Sequence, residues 1–158
     1  MKFVAVVFIA FILIQCKPNK NIHPEISLYP PAFDSTLASK WGADEYGMKL
    51  YIIVLLKAGP HRPTDSLERE NLQRAHMNNI SRLAKEGKLL VAGPIDQDKD
   101  LKGIYLFDVR TIEEAKALTE TDPAIQHGSL IMEMHPWYAS AAMMEIPELH
   151  FKGAKKNF

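Results

Sequence analysis

The chain is almost devoid of cysteine: Cys16 is the only one in 158 residues. That excludes an intramolecular disulfide and every Cys-x-x-Cys zinc or redox motif. An excess of charge of one sign is also missing. Lysines plus arginines number 19, as do aspartates plus glutamates. No basic cluster is interleaved with aromatics, so no nucleic acid partner is expected. The basic fragment Lys152-Lys155-Lys156 is too short to change this. His61, His127 and His135 occur singly, without the His-x-x-x-His spacing of a helical metal site, and no metal is expected. Ser129 lacks a Gly-x-Ser-x-Gly elbow and is not a candidate nucleophile. No internal repeat is present. What the chain does have is an ordinary apolar share of 47%, enough to pack one domain beside a targeting segment.

The targeting segment is at the N-terminus. Met1-Lys2 precedes an unbroken apolar run from Phe3 to Ile14. The run has the length of a signal-peptide core and is short of the ~20 residues a spanning helix needs. It stops at Cys16, and polar Lys17-Pro18-Asn19-Lys20 follows. Leu13-Ile14-Gln15-Cys16 resembles the lipobox of a bacterial lipoprotein, where cleavage precedes the cysteine and lipid is attached to its sulfur. Gln15 departs from the small residue usual before that cysteine. A conventional signal peptide with an incidental Cys16 and an uncleaved anchor are the other two readings. Lipidation explains why an exported chain carries a single unpaired thiol. The expectation is a signal peptide over 1–15, lipidation at Cys16, and a lipid-anchored place in the bacterial cell envelope. Removing 1–15 takes away Lys2, leaving 18 basic against 19 acidic residues, so attachment would not rely on attraction to anionic lipid.

Residues 16–47 read as a tether, because Pro18, Pro24, Pro30 and Pro31 interrupt helices and the apolar positions lack periodicity. Trp41 and Tyr46 are candidates to pack on the domain edge. The domain is expected over 48–143, with 144–158 as a C-terminal tail. Lys49 to Leu56 reads as a strand buried on both faces. Asp65-x-x-Glu68 resembles a capping box, and Gly87 closes the helix it opens. Leu72, His76, Ile80 and Leu83 recur at helical spacing, which puts His76 on the inward stripe. Leu89–Ala92, ended by Gly93-Pro94, and Gly103–Val109 read as strands. Thr111 caps a short helix, Asp122-Pro123 breaks it, and Ser129–His135 alternates as a final half-buried strand. The order strand-helix-strand-strand-helix-strand predicts an α+β, ferredoxin-like βαββαβ domain with a four-stranded antiparallel sheet and two helices on one face. The strands are apolar enough to predict that the other face meets a second copy, giving a homodimer.

Four short motifs stand on these elements: Arg74-Ala75-His76 in the first helix, Ala92-Gly93-Pro94 after the second strand, Thr121-Asp122-Pro123-Ala124 after the second helix, and Met134-His135-Pro136-Trp137 closing the last strand. In that order they resemble the YCII-related domain family over about Met48 to Met143. The resemblance implies a dimeric α/β barrel and a His/Asp pair lining a cleft. One relative is a dehydrochlorinase of a chlorinated hydroxyquinol, and muconolactone isomerases share the general architecture.

Histidine is the side chain that titrates unperturbed near neutrality, so it can take and return a proton. A carboxylate on one ring nitrogen fixes its tautomer and stabilises the imidazolium. His76 and Asp122 are therefore the catalytic candidates, base and orienting group, for a small cyclic or enolisable substrate. The bland reading is a core histidine satisfied by a buried aspartate, and Asp-Pro is also a common turn opener. Gly93 and Pro94 have a backbone role at a cleft rim. His135 and Trp137 either line the pocket or close a sheet edge. Tyr51, Tyr105 and Phe107 are assigned to core or interface. No cofactor is expected. Haem, which the barrel architecture also hosts, would have only histidines as ligands. The expectation is a cofactor-independent lyase or isomerase; the alternative is a non-catalytic ligand-binding or dimerisation module.

Overall fold

The computed structural model describes residues 32–156. The signal-peptide and Cys16 assignments therefore lie outside the described residues. The described residues from Asp34 on form one compact unit. Its elements are α1 (Ser35–Trp41), β1 (Met48–Ala58), α2 (Ser66–Lys85), β2 (Leu89–Pro94), β3 (Leu101–Phe107), α3 (Ile112–Thr119), α4 (Pro123–Gln126), β4 (Leu130–Ser140), a 3₁₀ turn (Ala141–Glu145) and α5 (Ile146–Gly153). The sheet runs β2-β3-β1-β4 with every neighbour antiparallel. This is the ferredoxin-like βαββαβ arrangement, with short helices added at both ends.

Period-two alternation on β1 assigns the faces. Ile52, Val54 and Leu56 point to one side and pack with Leu83 of α2, Leu89, Tyr105, Phe107 and Ala115. Fully burying a side chain of this size stabilises by about 1.5–3 kcal/mol. Tyr51 points the other way, into a smaller cluster with Leu90, Leu106 and Ala139. Met143 and Met144, from the 3₁₀ turn, pack against that cluster. The chain's own C-terminal segment thus covers one end of the second face. Ile53 and Leu55 on this face are only half-buried, so β1 is not buried on both faces within one chain.

Helix ends follow local chemistry. Asp65 accepts from the Glu68 amide of α2 at 2.8 Å, but Glu68 does not return the bond; its carboxylate sits 3.3 Å from His127. Gly87, at φ +68, ends α2 with Gly87 N–H on Ala84 and Lys88 N–H on Leu83, both 3.0 Å. Thr111 and Glu114 form a complete capping box on α3.

The structure adds order at both ends of the domain and lengthens the last strand. The tether does not extend to residue 47, because Asp34 caps a helix, α1. The tail beyond 143 is ordered as the 3₁₀ turn and α5. The two segments hold each other: Trp41 Nε1–H donates to Glu145 at 2.7 Å and Lys40 bonds it at 2.6 Å. The last strand continues past His135 to Ser140, because β1 extends back to Met48 and pairs with it throughout. Pro136 is tolerated there since β4 is an edge strand.

The α1–Glu145 contact carries a pH prediction. Hydrogen bonds from Lys40, then Trp41, hold the Glu145 carboxyl below its ordinary value. A depressed carboxyl stabilises the folded form above the ordinary glutamate value of about 4.3, and that contribution is lost as pH falls through the lower folded value. In a Trp137→Phe background, Trp41 fluorescence should be flat at neutral pH and change only below that ordinary value. A change at neutral pH would show that the contact is not set by Glu145.

Candidate active site

The inward stripe of α2 carries His76 and Asn79 as well as Leu83. One helical turn separates each from the next along the stripe, so all three face the sheet. Asp122 comes from a distant part of the sequence, between α3 and α4. Its backbone N–H bonds Thr119 O at 2.9 Å, and its Oδ1 accepts from Ala124 N–H at 2.9 Å, capping α4. That leaves Oδ2 directed at α2, where it meets His76 Nδ1 at 2.7 Å. Asp122 is thus both turn opener and histidine partner, one oxygen for each task. His76 is 8% exposed and Asp122 0%.

A third residue completes the set. The Tyr105 hydroxyl on β3 lies 3.4 Å from His76 Nε2, and the two rings are near-parallel at 21° with centroids 6.3 Å apart. Burial pushes the Tyr105 hydroxyl far above its ordinary range, and the Asp122 charge adds to this. Tyr105 therefore stays protonated and can donate but not act as a base. With a carboxylate at Nδ1, that nitrogen is the donor, and the neutral ring presents its lone pair at Nε2. A contact of 3.4 Å is at the far end of hydrogen bonding, so Nε2 is only weakly engaged. The geometry can accept a proton at Nε2, stabilise the resulting imidazolium with Asp122, and supply a neutral hydroxyl beside it.

Behind the pair, Arg82 donates to Asn79 Oδ1 at 2.9 Å and to Thr121 Oγ at 2.7 Å. Thr121 Oγ also donates to Asn79 Oδ1 at 2.9 Å. This network ties α2 to the residue preceding Asp122. The sequence does not single out Asn79, and it assigns Tyr105 to core or interface, where the residue is indeed buried but with its hydroxyl at His76. Asn79 lies three residues from His76 on its own stripe, a signal masked by its polarity. Tyr105 belongs to an apolar strand, where a tyrosine reads as core.

The other candidates are elsewhere. Gly93 and Pro94 lie within β2, exposed and paired with Ile104 and Gly103. Gly93 has a negative φ and open space beside it, so neither a bend nor a close approach needs glycine there. His135 pairs across from Ile53 and Trp137 from Tyr51, on the sheet face away from the helices. His135 Nε2 bonds Glu133 at 2.7 Å. None of these four stands with the His76–Asp122 pair. The expected cleft is displaced too. A cleft of about 80 Å³ lies between the β1–α2 loop, α2 and the start of β4, lined by Arg69, Leu72, Ala124 and Ser129 among others; neither His76 nor Asp122 lines it. Among the described residues, no group of three or more His, Cys, Asp or Glu could hold a metal ion.

A sequence profile of the YCII-related domain matches residues 53–138. The chain belongs to the YCII-related domain family. That span runs from β1 to β4 and contains His76, Tyr105 and Asp122. No curated protein matches. Among solved structures, this YCII-related chain is similar to 5-chloro-2-hydroxyhydroquinone dehydrochlorinase (TftG) from Burkholderia phenoliruptrix AC1100, in complex with 2,5-dihydroxybenzoquinone. The identity is 21% and the TM-score 0.41, over 56% of this chain and 93% of that one.

Proposed function

We propose that this YCII-related protein is a small-molecule enzyme of the lyase or isomerase type, working by proton transfer without a cofactor. His76 Nε2 is the general base, Asp122 orients the ring and stabilises its cation, and Tyr105 donates to the oxygen that gains charge. The observation carrying this is the buried 2.7 Å bond from His76 Nδ1 to Asp122 with Nε2 left weakly engaged. A hydroxyl kept protonated by burial suits stabilisation of an enolate-like oxygen. The substrate class is a small cyclic or enolisable molecule, whose acidic C–H lies beside a carbonyl or halide. The test does not depend on which product forms: in D₂O, proton NMR should show deuterium entering such carbons only when the protein is present. Absence of exchange across a broad panel of cyclic ketones, quinols and lactones would refute the reading.

Burial favours a second reading, a non-catalytic module that binds a small ligand or dimerises. His76 and Asp122 are buried and do not line the cleft beside α2, and a His/Asp bond can simply pin α2 to α4.

Two further parts of the proposal concern setting. The sheet face away from α2 leaves Ile131 47% and Trp137 40% exposed beside half-buried Ile53 and Leu55, a surface suited to a second copy of the chain. Sedimentation equilibrium at micromolar concentration should give twice the chain mass, and a monomer would exclude the dimer. Lipidation at Cys16 would hold the protein at the bacterial envelope. Cys16→Ser should release it into the soluble fraction, and unchanged membrane retention would contradict the anchor.

A further inference from the structure

The cleft of about 80 Å³ between the β1–α2 loop, α2 and the start of β4 has a composition that the proton-transfer chemistry does not use. Arg62 from the β1–α2 loop and Arg69 from α2 both border it. Arg74 and Arg82 have carboxylates on their own helix, Glu70 at 3.7 Å and Glu86 at 2.7 Å. No acidic side chain lines this cleft, and the carboxylate in the adjoining depression that Arg62 and Arg69 also border is Glu70, which pairs with Arg74. Two arginines bordering one concavity bring like charges to it, and an anion bound between them would relieve their repulsion. The rest of the wall is divided. Gln73 and the buried Ser129 supply polar atoms, while Leu72 and Leu130 supply apolar surface.

We infer that this cleft binds the carboxylate of a small, mainly apolar organic acid. Arg62 and Arg69 take the carboxylate, for which the planar guanidinium fork is matched in shape. Leu72 and Leu130 take the hydrocarbon body. The wall connects to the buried pair at two points. Leu72 is one helical turn from His76, about 6 Å along the axis. Ala124 is bonded through its N–H to Asp122 Oδ1. An acid anchored by the arginines therefore lies against Leu72 and Ala124, the two residues that join the wall to the buried pair. The link to turnover rests on the proton-transfer reading of His76; binding in the cleft does not.

Benzoate is the probe, titrated into the ¹⁵N-labelled full-length protein in detergent while the side-chain Nε–H signals of Arg62 and Arg69 are followed. Both signals should shift saturably. Benzamide, the neutral isostere, and inorganic phosphate, an anion with no apolar body, should each bind at least about tenfold more weakly. Arg62→Gln with Arg69→Gln, both on exposed side chains, should weaken benzoate by a similar factor while leaving the thermal transition in place. Benzamide binding as well as benzoate would overturn the charge recognition, independent of how any variant folds. Phosphate binding as tightly as benzoate would overturn the apolar part, and full affinity in the double variant would overturn the assignment to these arginines. His76→Asn separates this inference from the catalytic one. Normal benzoate binding with deuterium exchange undiminished in that variant would remove His76 from the chemistry and keep the cleft. Exchange that depends on His76 with no benzoate binding would keep the base and remove the cleft.

Discussion

Replacing His76 with asparagine should lower protein-dependent deuterium exchange by about 10²–10⁴-fold, the usual contribution of a positioned general base. The fold should survive it. An asparagine amide can place an N–H close to the position of Nδ1, so Asp122 Oδ2 keeps a donor in place of the one it has at 2.7 Å. The amide has no counterpart to the Nε2 lone pair, which is the atom doing the chemistry. The change therefore separates the two roles of the histidine: the bond to Asp122 is kept and the base removed. Asp122→Asn tests the complement. Oδ1 can still accept from Ala124, so the α4 cap persists, but an amide at the Oδ2 position presents N–H to Nδ1 and favours the opposite tautomer. Exchange should fall while the thermal transition moves little. If either variant instead unfolds, the His/Asp bond is a packing pin and the non-catalytic reading gains.

The largest stability effect is expected at Gly59, immediately after β1. A Cβ there would sit 2.2 Å from the Gly128 carbonyl oxygen and 2.8 Å from the Ser129 carbonyl carbon. Both are backbone atoms, so no side-chain rotation can relieve the overlap. The two segments are held together by Gly59 N–H on Ser129 O at 2.9 Å and His61 N–H on Gly128 O at 3.1 Å. Separating them would break these bonds and move Ser129, which lines the cleft. Gly59→Ala should cost about 3 kcal/mol or more, lowering the thermal midpoint on the order of 10 °C for a domain of this size. Gly93→Ala is the contrast: nothing lies within 4 Å of its added Cβ, and the expected change is small. Equal midpoints for the two variants would mean that the β1–β4 junction is not packed as described.

Much of this was legible in the sequence because it depends on local chemistry. The periodicity of Leu72, His76 and Leu83 turns His76 inward, and Gly87 and Thr111 mark helix ends through φ and capping. The order of elements along the chain followed from the alternation of apolar runs with helical ones. The pairing of His76 with Asp122 came from the family resemblance, since 46 residues separate them and no spacing rule joins them. Tyr105 was missed for a related reason: nothing in Gly103–Phe107 tells a core tyrosine from one whose hydroxyl meets a histidine. The end of β4 was misjudged because Pro136 reads as a stop, whereas an edge strand has one side on which no N–H is needed. The C-terminal segment looked like a tail because Trp41 and Glu145, which hold it to α1, are 104 residues apart.

The most direct test of the central claim, that Nε2 of His76 is the proton acceptor, is ¹⁵N NMR of the imidazole ring in its neutral form. The two ring nitrogens differ widely in shift according to which carries the proton. A protonated Nδ1 with an unprotonated Nε2, lost or scrambled in Asp122→Asn, is the predicted result. A proton resident on Nε2 and pointed at Tyr105 would leave no lone pair for substrate, and would contradict the assignment of His76 as the base.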